Sequence, residues 1–175
     1  MFNIDKSKSI NSLIYIIKEL KKRQKKTDLH KVMKLLYFAD REHLVKYGFP
    51  ISGDTYLKQT FGPVPSFMNY VAKNEQHDFK GCVDIKRKGR VSILSTKKDV
   101  DLDDLSQSEI EALNFAISNF SDYTFEELTE ISHDYAWTNS DWEIDYLKIA
   151  IEGNASEDII AFIKQNEINN KISFL

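Results

Sequence analysis

The chain has 175 residues, the usual size of one folded domain. Its 42% hydrophobic and 29% charged residues indicate a globular protein, and its only cysteine, Cys82, excludes an internal disulfide and a multi-cysteine zinc site. The N-terminal segment has neither an export-signal pattern nor enough uninterrupted apolar residues for a membrane span. We therefore expect one domain over residues 1–175, located in the reducing cytoplasm and without membrane contact.

Charge is divided unevenly along the sequence, although the net charge is only −3. Residues 1–98 carry 21 basic and 9 acidic side chains (net +12), whereas residues 99–175 carry 3 basic and 18 acidic ones (net −15). Such asymmetry often marks a surface that meets a charged partner. It is equally expected if the two halves face each other within the fold, so both interpretations stay open.

Two helices are predicted at the start of the chain. Apolar residues spaced between residues 10 and 20 follow one face of helix one. The basic run KKRQKK at 21–26 leads to Thr27 and Asp28, which are suitable caps for helix two, and Gly48 is a suitable end for it.

The segment 48–65 contains all three prolines of the chain. Residues 54–61 are predicted to be extended, and Gly62–Pro65 (GPVP) follows them directly. Prolines are tolerated at or just before the first turn of a helix, so we predict a helix that starts here and runs through residues 67–71. The stretch is then a stiff corner between a strand and a helix.

The later elements are signalled by a hairpin pattern and by two capping boxes. Residues 82–95 alternate apolar and charged side chains around Gly89, which predicts a β-hairpin that pairs with the strand at 54–61. Capping boxes predict helices over about 106–120 and 124–137. A last helix is expected near Ser156. The predicted fold is mainly α, a single helical domain with a small antiparallel sheet.

Asp40 and His43 are the candidate chemical pair, because they lie three residues apart on the otherwise apolar face of helix two. They could act as an acid and a base that share a hydrogen bond. No serine or cysteine stands in a recognisable nucleophile motif, and nothing else orients a substrate. We favour a structural polar pair and predict that the protein is not an enzyme.

The histidines and glycines give no sign of a metal or nucleotide site. His30, His43, His77 and His133 lack metal-ligand spacing, and no phosphate-binding glycine motif occurs. No cofactor and no metal are therefore predicted. His133 is expected to brace the end of a helix, with Trp137 packed over it.

Two basic runs are the only features suited to phosphate contact: KKRQKK at 21–26 and KRKGR at 86–90. They lack interleaved aromatic residues and a recognisable reading helix. Nucleic acid is accordingly disfavoured as a partner and is kept as the alternative, a regulator that uses the basic first half of the chain.

Several motifs together resemble a known family. The stretch KLLYFADREHLVKYGFPISGDTYLKQTFGPVPSFMNYV at 34–71 is similar to the core signature of the Panacea domain, found in SocA-like antitoxins and phage-associated GepA-like proteins. LTEISHDYAW at 128–137 and the tail GNASEDIIAFIKQN at 153–166 extend the likeness to about residues 10–165. Lys58, Gln59 and Thr60 depart from it, because many members have smaller or more apolar residues there.

The resemblance implies a mainly helical antitoxin of a type II-like toxin–antitoxin system. Such a protein neutralises a co-encoded toxin by direct contact, either by blocking it or by delivering it to a cytosolic protease. It needs neither cofactor nor catalytic residues, and the resemblance leaves a homo-oligomer open. Many toxins of such systems are basic, so the acidic second half of the chain is a candidate docking face, with Glu126, Glu127 and Glu130 as its residues.

The corner around GPVP is expected to form a preorganised surface whose side chains lose little entropy on binding. Its residues are candidates either for scaffold or for direct partner contact, and we favour the scaffold role for four of them: Tyr37, His43, Pro63 and Trp137. The full set of family-motif candidates is Tyr37, Asp40, His43, Pro50, Asp54, Tyr56, Phe61, Gly62, Pro63, Val64, Pro65, Tyr70, His133 and Trp137.

Overall fold

A computed structural model describes residues 2–72 and 81–172, with side chains up to residue 169. Within these residues the fold is mainly α, as predicted, with two small antiparallel sheets. The first half contains α1 (Lys6–Lys22), α2 (Leu29–Tyr47), β1 (Tyr56–Gln59), β2 (Gly62–Pro65), α3 (Ser66–Ala72), β3 (Asp84–Lys88) and β4 (Val91–Ser95). The second half contains α4 (Gln107–Phe120), α5 (Phe125–Ser132), α6 (Tyr135–Asn139), α7 (Tyr146–Glu152) and α8 (Glu157–Ile172).

Helix α2 is the centre of the molecule. It packs against α1, α4, α5, α7 and both β2 and β4, and every residue from 32 to 40 is buried. Asp28 caps its first turn by accepting from the Lys31 backbone N–H, and Gly48 ends it in the left-handed conformation at φ 85°. Both ends were predicted from the sequence.

The capping boxes at Ser106 and Thr124 are confirmed. Each hydroxyl accepts from the backbone N–H three residues later, and the glutamate at that position bonds back to the cap. The helix predicted over 124–137 is shorter than expected, because α5 ends at Ser132. Asp134 then caps a new helix, α6, by accepting a hydrogen bond from the Trp137 N–H.

The predicted pairing of the two β segments is wrong. Tyr56–Gln59 pairs with Gly62–Pro65, and the hairpin β3–β4 forms a separate sheet. The reason is local: a two-residue turn at Thr60 and Phe61, followed by Gly62 at φ 93°, reverses the chain at once. GPVP is therefore a strand rather than a helix start, and α3 begins directly after Pro65.

Prolines are tolerated in β2 because it is the edge strand of its sheet. The other side of β1 is covered by the chain around Trp142, since Lys58 N–H donates to the Trp142 carbonyl and Ile144 N–H to the Tyr56 carbonyl, at 2.9 and 2.8 Å. The β3–β4 hairpin turns at Gly89, as predicted, and docks on the α1–α2 loop through Leu94 and Thr27.

Candidate partner-binding site

A lysine and an aspartate are buried within α2, because both lie in its central stretch, residues 32–40, where every residue is buried. Lys34 is 1% exposed and Asp40 is 3% exposed. A charged group that loses its water must find polar partners inside the protein or change its protonation state. These two residues organise the opposite ends of the β1–β2 hairpin.

Lys34 supports the turn end of the hairpin. Its Nζ donates a hydrogen bond of 2.8 Å to the carbonyl of Pro63. No carboxylate among the described residues forms an ion pair with it, so burial lowers the pKa of the amine to about 7. The amine is therefore only partly protonated near neutral pH, and it can donate to β2 in either form.

Gly62 allows this close approach of α2, β2 and α5. A Cβ added at this position would overlap the Ser132 hydroxyl and would lie 2.9 Å from the Lys34 amine. Its φ of 93° also lies in the region that only glycine adopts without strain. The glycine is thus required both by the backbone conformation and by the packing around it.

Two histidines flank this contact. His30 Nε2 lies 3.3 Å from the Phe61 carbonyl oxygen and 3.2 Å from the Thr129 hydroxyl. Burial, with the positive charge of Lys34 as a second cause, lowers the pKa of His30 to about 4. His133 ends α5 and its ring stacks on Trp137 with centroids 3.8 Å apart, and burial likewise lowers its pKa.

Asp40 organises the base of the hairpin. Its carboxylate accepts from the backbone N–H groups of Ile51 and Ser52, from the Ser52 hydroxyl and from the Tyr56 hydroxyl, at 2.7 to 3.1 Å. Burial raises its pKa, while these hydrogen bonds oppose the rise. Asp40 therefore fixes the connector between α2 and β1.

The expected hydrogen bond between Asp40 and His43 is not formed. In the described part of the structure, His43 Nδ1 forms a hydrogen bond of 2.8 Å with the Phe49 carbonyl, and its Nε2 forms one of 3.1 Å with the Ser108 hydroxyl. Both residues are buried and structural, but each holds a different segment. The three-residue spacing placed them on one side of α2 without bringing them into contact.

Asp54 and Tyr37 connect the remaining motifs. Asp54 accepts from the N–H groups of Phe67 and Met68 and so caps α3, and burial raises its pKa to about 6. Tyr37 donates to Asp134 at 2.7 Å, which joins α2 to the start of α6.

The candidate residues divide into a buried and an exposed group. Most lie in the interior or are partly covered: Tyr37, Asp40, His43, Pro50, Asp54, Tyr56, Gly62, Pro63, Val64, Pro65, His133 and Trp137. Phe61 and Tyr70 are 56% and 46% exposed. Only this second group presents large apolar side chains to a partner.

Phe61 forms an exposed aromatic surface together with Phe125, which the sequence had not singled out. The ring centroids lie 5.3 Å apart in an edge-to-face arrangement, and Phe125 is 43% exposed. The His30 ring packs against Phe125 at 4.1 Å. These three residues are called the aromatic surface below.

Acidic residues border the aromatic surface. Phe125 is the first residue of α5, and Glu126, Glu127 and Glu130 are exposed on the same helix. The Glu127 carboxylate is used in the capping box with Thr124. Glu126 and Glu130 form no ion pair within the described residues, so they are the acids free to meet a partner.

The two oppositely charged halves of the sequence do face each other in part. Ion pairs join Lys8 to Glu109, Lys18 to Asp99, Lys25 to Asp122, and Arg41 to both Asp134 and Glu152. Ion pairs within the molecule therefore neutralise part of the charge on each half. The acids of α5 do not take part in these pairs.

Lys34, His30 and Phe125 were missed by the sequence reasoning. Lys34 had a detectable signal, because it is a lysine at the start of the motif KLLYFAD on a strongly apolar helix. His30 and Phe125 had none, since their role depends on the packing of α5 against β2.

Two general features concern the described residues only. No cluster of three or more histidine, cysteine, aspartate or glutamate side chains there could hold a metal ion, and no helix there is long and apolar enough to cross a membrane. His77, one of the four histidines considered above, lies outside the described residues.

The fold and the site define a small, mainly α-helical domain whose sequence motifs build a rigid support for an exposed hairpin turn. A family model described as antitoxin SocA-like, Panacea domain, matches residues 32–138, which include most of α2, the β1–β2 hairpin and the segment through Trp137. The chain belongs to this family of SocA-like antitoxins. No curated protein and no solved structure matches it significantly.

Proposed function

We propose that the protein neutralises a co-encoded protein toxin by binding it through the aromatic surface and the free acids of α5. The observation that carries this proposal is the exposed pair Phe61 and Phe125. Membership of the antitoxin family supports the role, and aromatic side chains such as this pair are enriched at protein interfaces.

The aromatic surface is preorganised by the interior of the molecule. Phe61 sits in a two-residue turn whose next residue, Gly62, packs against Lys34 and Ser132. Its carbonyl oxygen is also held by His30. A turn fixed in this way loses little conformational entropy when a partner binds, so more of the contact energy becomes affinity.

The charges beside this surface select a basic partner. Glu126 and Glu130 are exposed next to Phe125 and are not used by ion pairs in the described part of the chain. Complementary charge raises the rate of encounter and disfavours wrong partners. We therefore expect a toxin with lysine or arginine around an apolar pocket.

The proposed action is binding rather than catalysis. The toxin is blocked while it is bound, and delivery to a cytosolic protease is a second way in which the same contact would lower its activity. A self-associated form is compatible with either route, provided that the aromatic surface stays open.

The test is rescue of growth. The product of the open reading frame beside this gene should be toxic when it is induced alone, and co-expression of this protein should restore growth. The variant Phe61→Ser should lose the rescue and weaken binding of the purified toxin by at least about tenfold, as expected for an interface anchor. Calorimetry with the two purified proteins measures this affinity.

The matched control is Tyr70→Ser, which removes an aromatic ring of similar exposure from α3. It should rescue growth like the wild type. Charge reversal at Glu126 and Glu130 should reduce the association rate, whereas Glu127 is left unchanged because it caps α5. A harmless neighbouring product, or normal binding by a folded Phe61→Ser protein, would contradict the proposal.

A further inference from the structure

The fold brings the two basic runs of the sequence to the walls of one groove. Lys25 and Lys26 come from the run at 21–26, and Arg90 comes from the run at 86–90, yet all three line a single concavity of about 650 Å³. The juxtaposition arises because β4 docks beside the start of α2, with Ile93 bridged to Asp28. We call this concavity the basic groove.

Carboxylates cancel only part of the positive charge in the basic groove. Lys25 is paired with Asp122, and the Asp28 carboxylate caps α2. Lys31 donates to the Ser121 carbonyl at 2.6 Å, and burial lowers its pKa. Lys26 and Arg90 are exposed and form no ion pair among the described residues.

The positive charge continues beyond the groove along the neighbouring hairpin. Lys86, Arg87 and Lys88 precede the turn that leads to Arg90, and all three are exposed. Their strand β3 pairs with β4, the strand whose first residue, Val91, also lines the groove. Because successive side chains of a strand point to opposite faces, Lys86 and Lys88 lie on one face of β3 and Arg87 on the other. The hairpin therefore adds positive charge beside the groove on both of its faces.

Aromatic side chains line the same groove. Tyr123 and Phe125 are 36% and 43% exposed and border it from the α4–α5 connection and from α5. Cations beside exposed aromatic rings are the usual arrangement for a single nucleic-acid strand, because phosphates meet the cations and bases stack on the rings.

We propose that the basic groove binds single-stranded nucleic acid, with its phosphates on Lys26 and Arg90 and with a base stacked on Tyr123. An acidic peptide would use the cations but has no general need for the aromatic wall, so the combination favours a nucleic-acid strand.

The proposal is independent of the toxin-binding role. The groove adjoins the aromatic surface, because His30 and Phe125 border both. Variants at Lys26, Arg90 and Tyr123 leave Phe61 and the free acids of α5 intact. Loss of nucleic-acid binding with normal rescue of growth would separate the two activities. Loss of rescue with normal nucleic-acid binding would also separate them.

The experiment measures fluorescence anisotropy of a fluorescein-labelled oligouridylate of roughly 12 nucleotides. The wild type should bind at ~50 mM salt, and its affinity should fall steeply by ~200 mM salt as counterions are released. The double variant Lys26→Gln with Arg90→Gln should lose at least about tenfold in affinity and reduce the salt slope by roughly 1.4, since each cation contributes about 0.7 on a single strand. Tyr123→Leu should weaken binding by at least about fivefold while keeping the salt slope.

The matched control is Lys97→Gln with Lys98→Gln, which removes two exposed lysines from outside the groove. It should bind like the wild type. Absence of binding at low salt, or an equal loss in this control, would overturn the proposal. A labelled oligoglutamate that binds more tightly than the oligouridylate would also overturn it, and would assign the groove to an acidic protein segment. Circular dichroism checks that each variant is folded.

Discussion

The two ends of the β1–β2 hairpin differ in what surrounds them. At the base, Tyr56 is 1% exposed and its hydroxyl bonds to the buried Asp40. At the turn, Phe61 is 56% exposed and is supported from below by Lys34 and His30. The comparison teaches that most of the family motif lies in the buried support, whereas Phe61 at the turn is exposed.

The largest effect is expected from breaking the base. Asp40→Ala leaves two backbone N–H groups, the Ser52 hydroxyl and the Tyr56 hydroxyl without their acceptor. Unsatisfied buried donors are costly, so the free energy of unfolding should fall by about 3 kcal/mol or more. Urea denaturation followed by circular dichroism measures it.

The control for this change is Asp99→Ala, which removes a carboxylate on the exposed surface that is paired only with Lys18. It should not alter stability measurably. If Asp40→Ala is insoluble, Asp40→Asn, which keeps one acceptor oxygen, should give an intermediate loss. Wild-type stability in either Asp40 variant would show that the base is not the structural end of the hairpin.

A smaller effect is expected from crowding the turn. Gly62→Ala places a Cβ against Ser132 and Lys34 and forces alanine into φ 93°. Strain and overpacking together should lower the free energy of unfolding by about 3 kcal/mol or less. The control is Gly89→Ala, where nothing lies within 4 Å of an added Cβ. Its loss of unfolding free energy should reflect the strained backbone conformation alone, about 1 kcal/mol. Equal losses in the two variants would show that the packing beneath the turn is loose.

The smallest effect is a pH dependence at the support of the turn. The Lys34 amine has a pKa of about 7 in the folded protein and an ordinary value of 10.5, so the unfolded chain binds more protons between these values. The free energy of unfolding should therefore rise by about 2 kcal/mol as the pH increases from 7 to 9, and this gain should be lost as the pH falls back to 7.

Lys34→Met tests this assignment, since it fills a similar volume without a titratable group. The variant should show a flat stability between pH 7 and pH 9, measured by urea denaturation at each pH. Burial raises the pKa values of Tyr37, Tyr56 and Tyr146 above this pH window, so these tyrosines should not contribute to the pH dependence. A rise that persists in the variant would assign the pH dependence to other groups.

Local signals predicted much of the fold. The caps of α2 at Asp28 and Gly48 and both capping boxes depend on side chains within a few residues, so they can be seen in the sequence. The family resemblance was equally visible and is confirmed by the match over residues 32–138. These features depend on neighbouring residues, so they can be recognised without knowledge of the tertiary structure.

The errors concern which segments pair, where a predicted helix breaks and one helix that was not predicted. The strand at 56–59 had two possible partners, and the turn before Gly62 selected the nearer one. The helix predicted over 124–137 breaks because Asp134 both caps α6 and bonds to Tyr37 on α2. α7, which begins after Asp145, was not predicted.

The sequence alone determined that this is a helical domain of the SocA-like antitoxin family, because caps, periodicity and motif order are written in neighbouring residues. Tertiary structure decided which residues lie inside and which meet a partner. Phe61 reaches Phe125, and Arg90 reaches the groove at Lys26, only after segments tens of residues apart have packed together. The burial of residues 32–40 likewise makes Lys34 and Asp40 structural supports, and the segments that bury them come from distant parts of the chain.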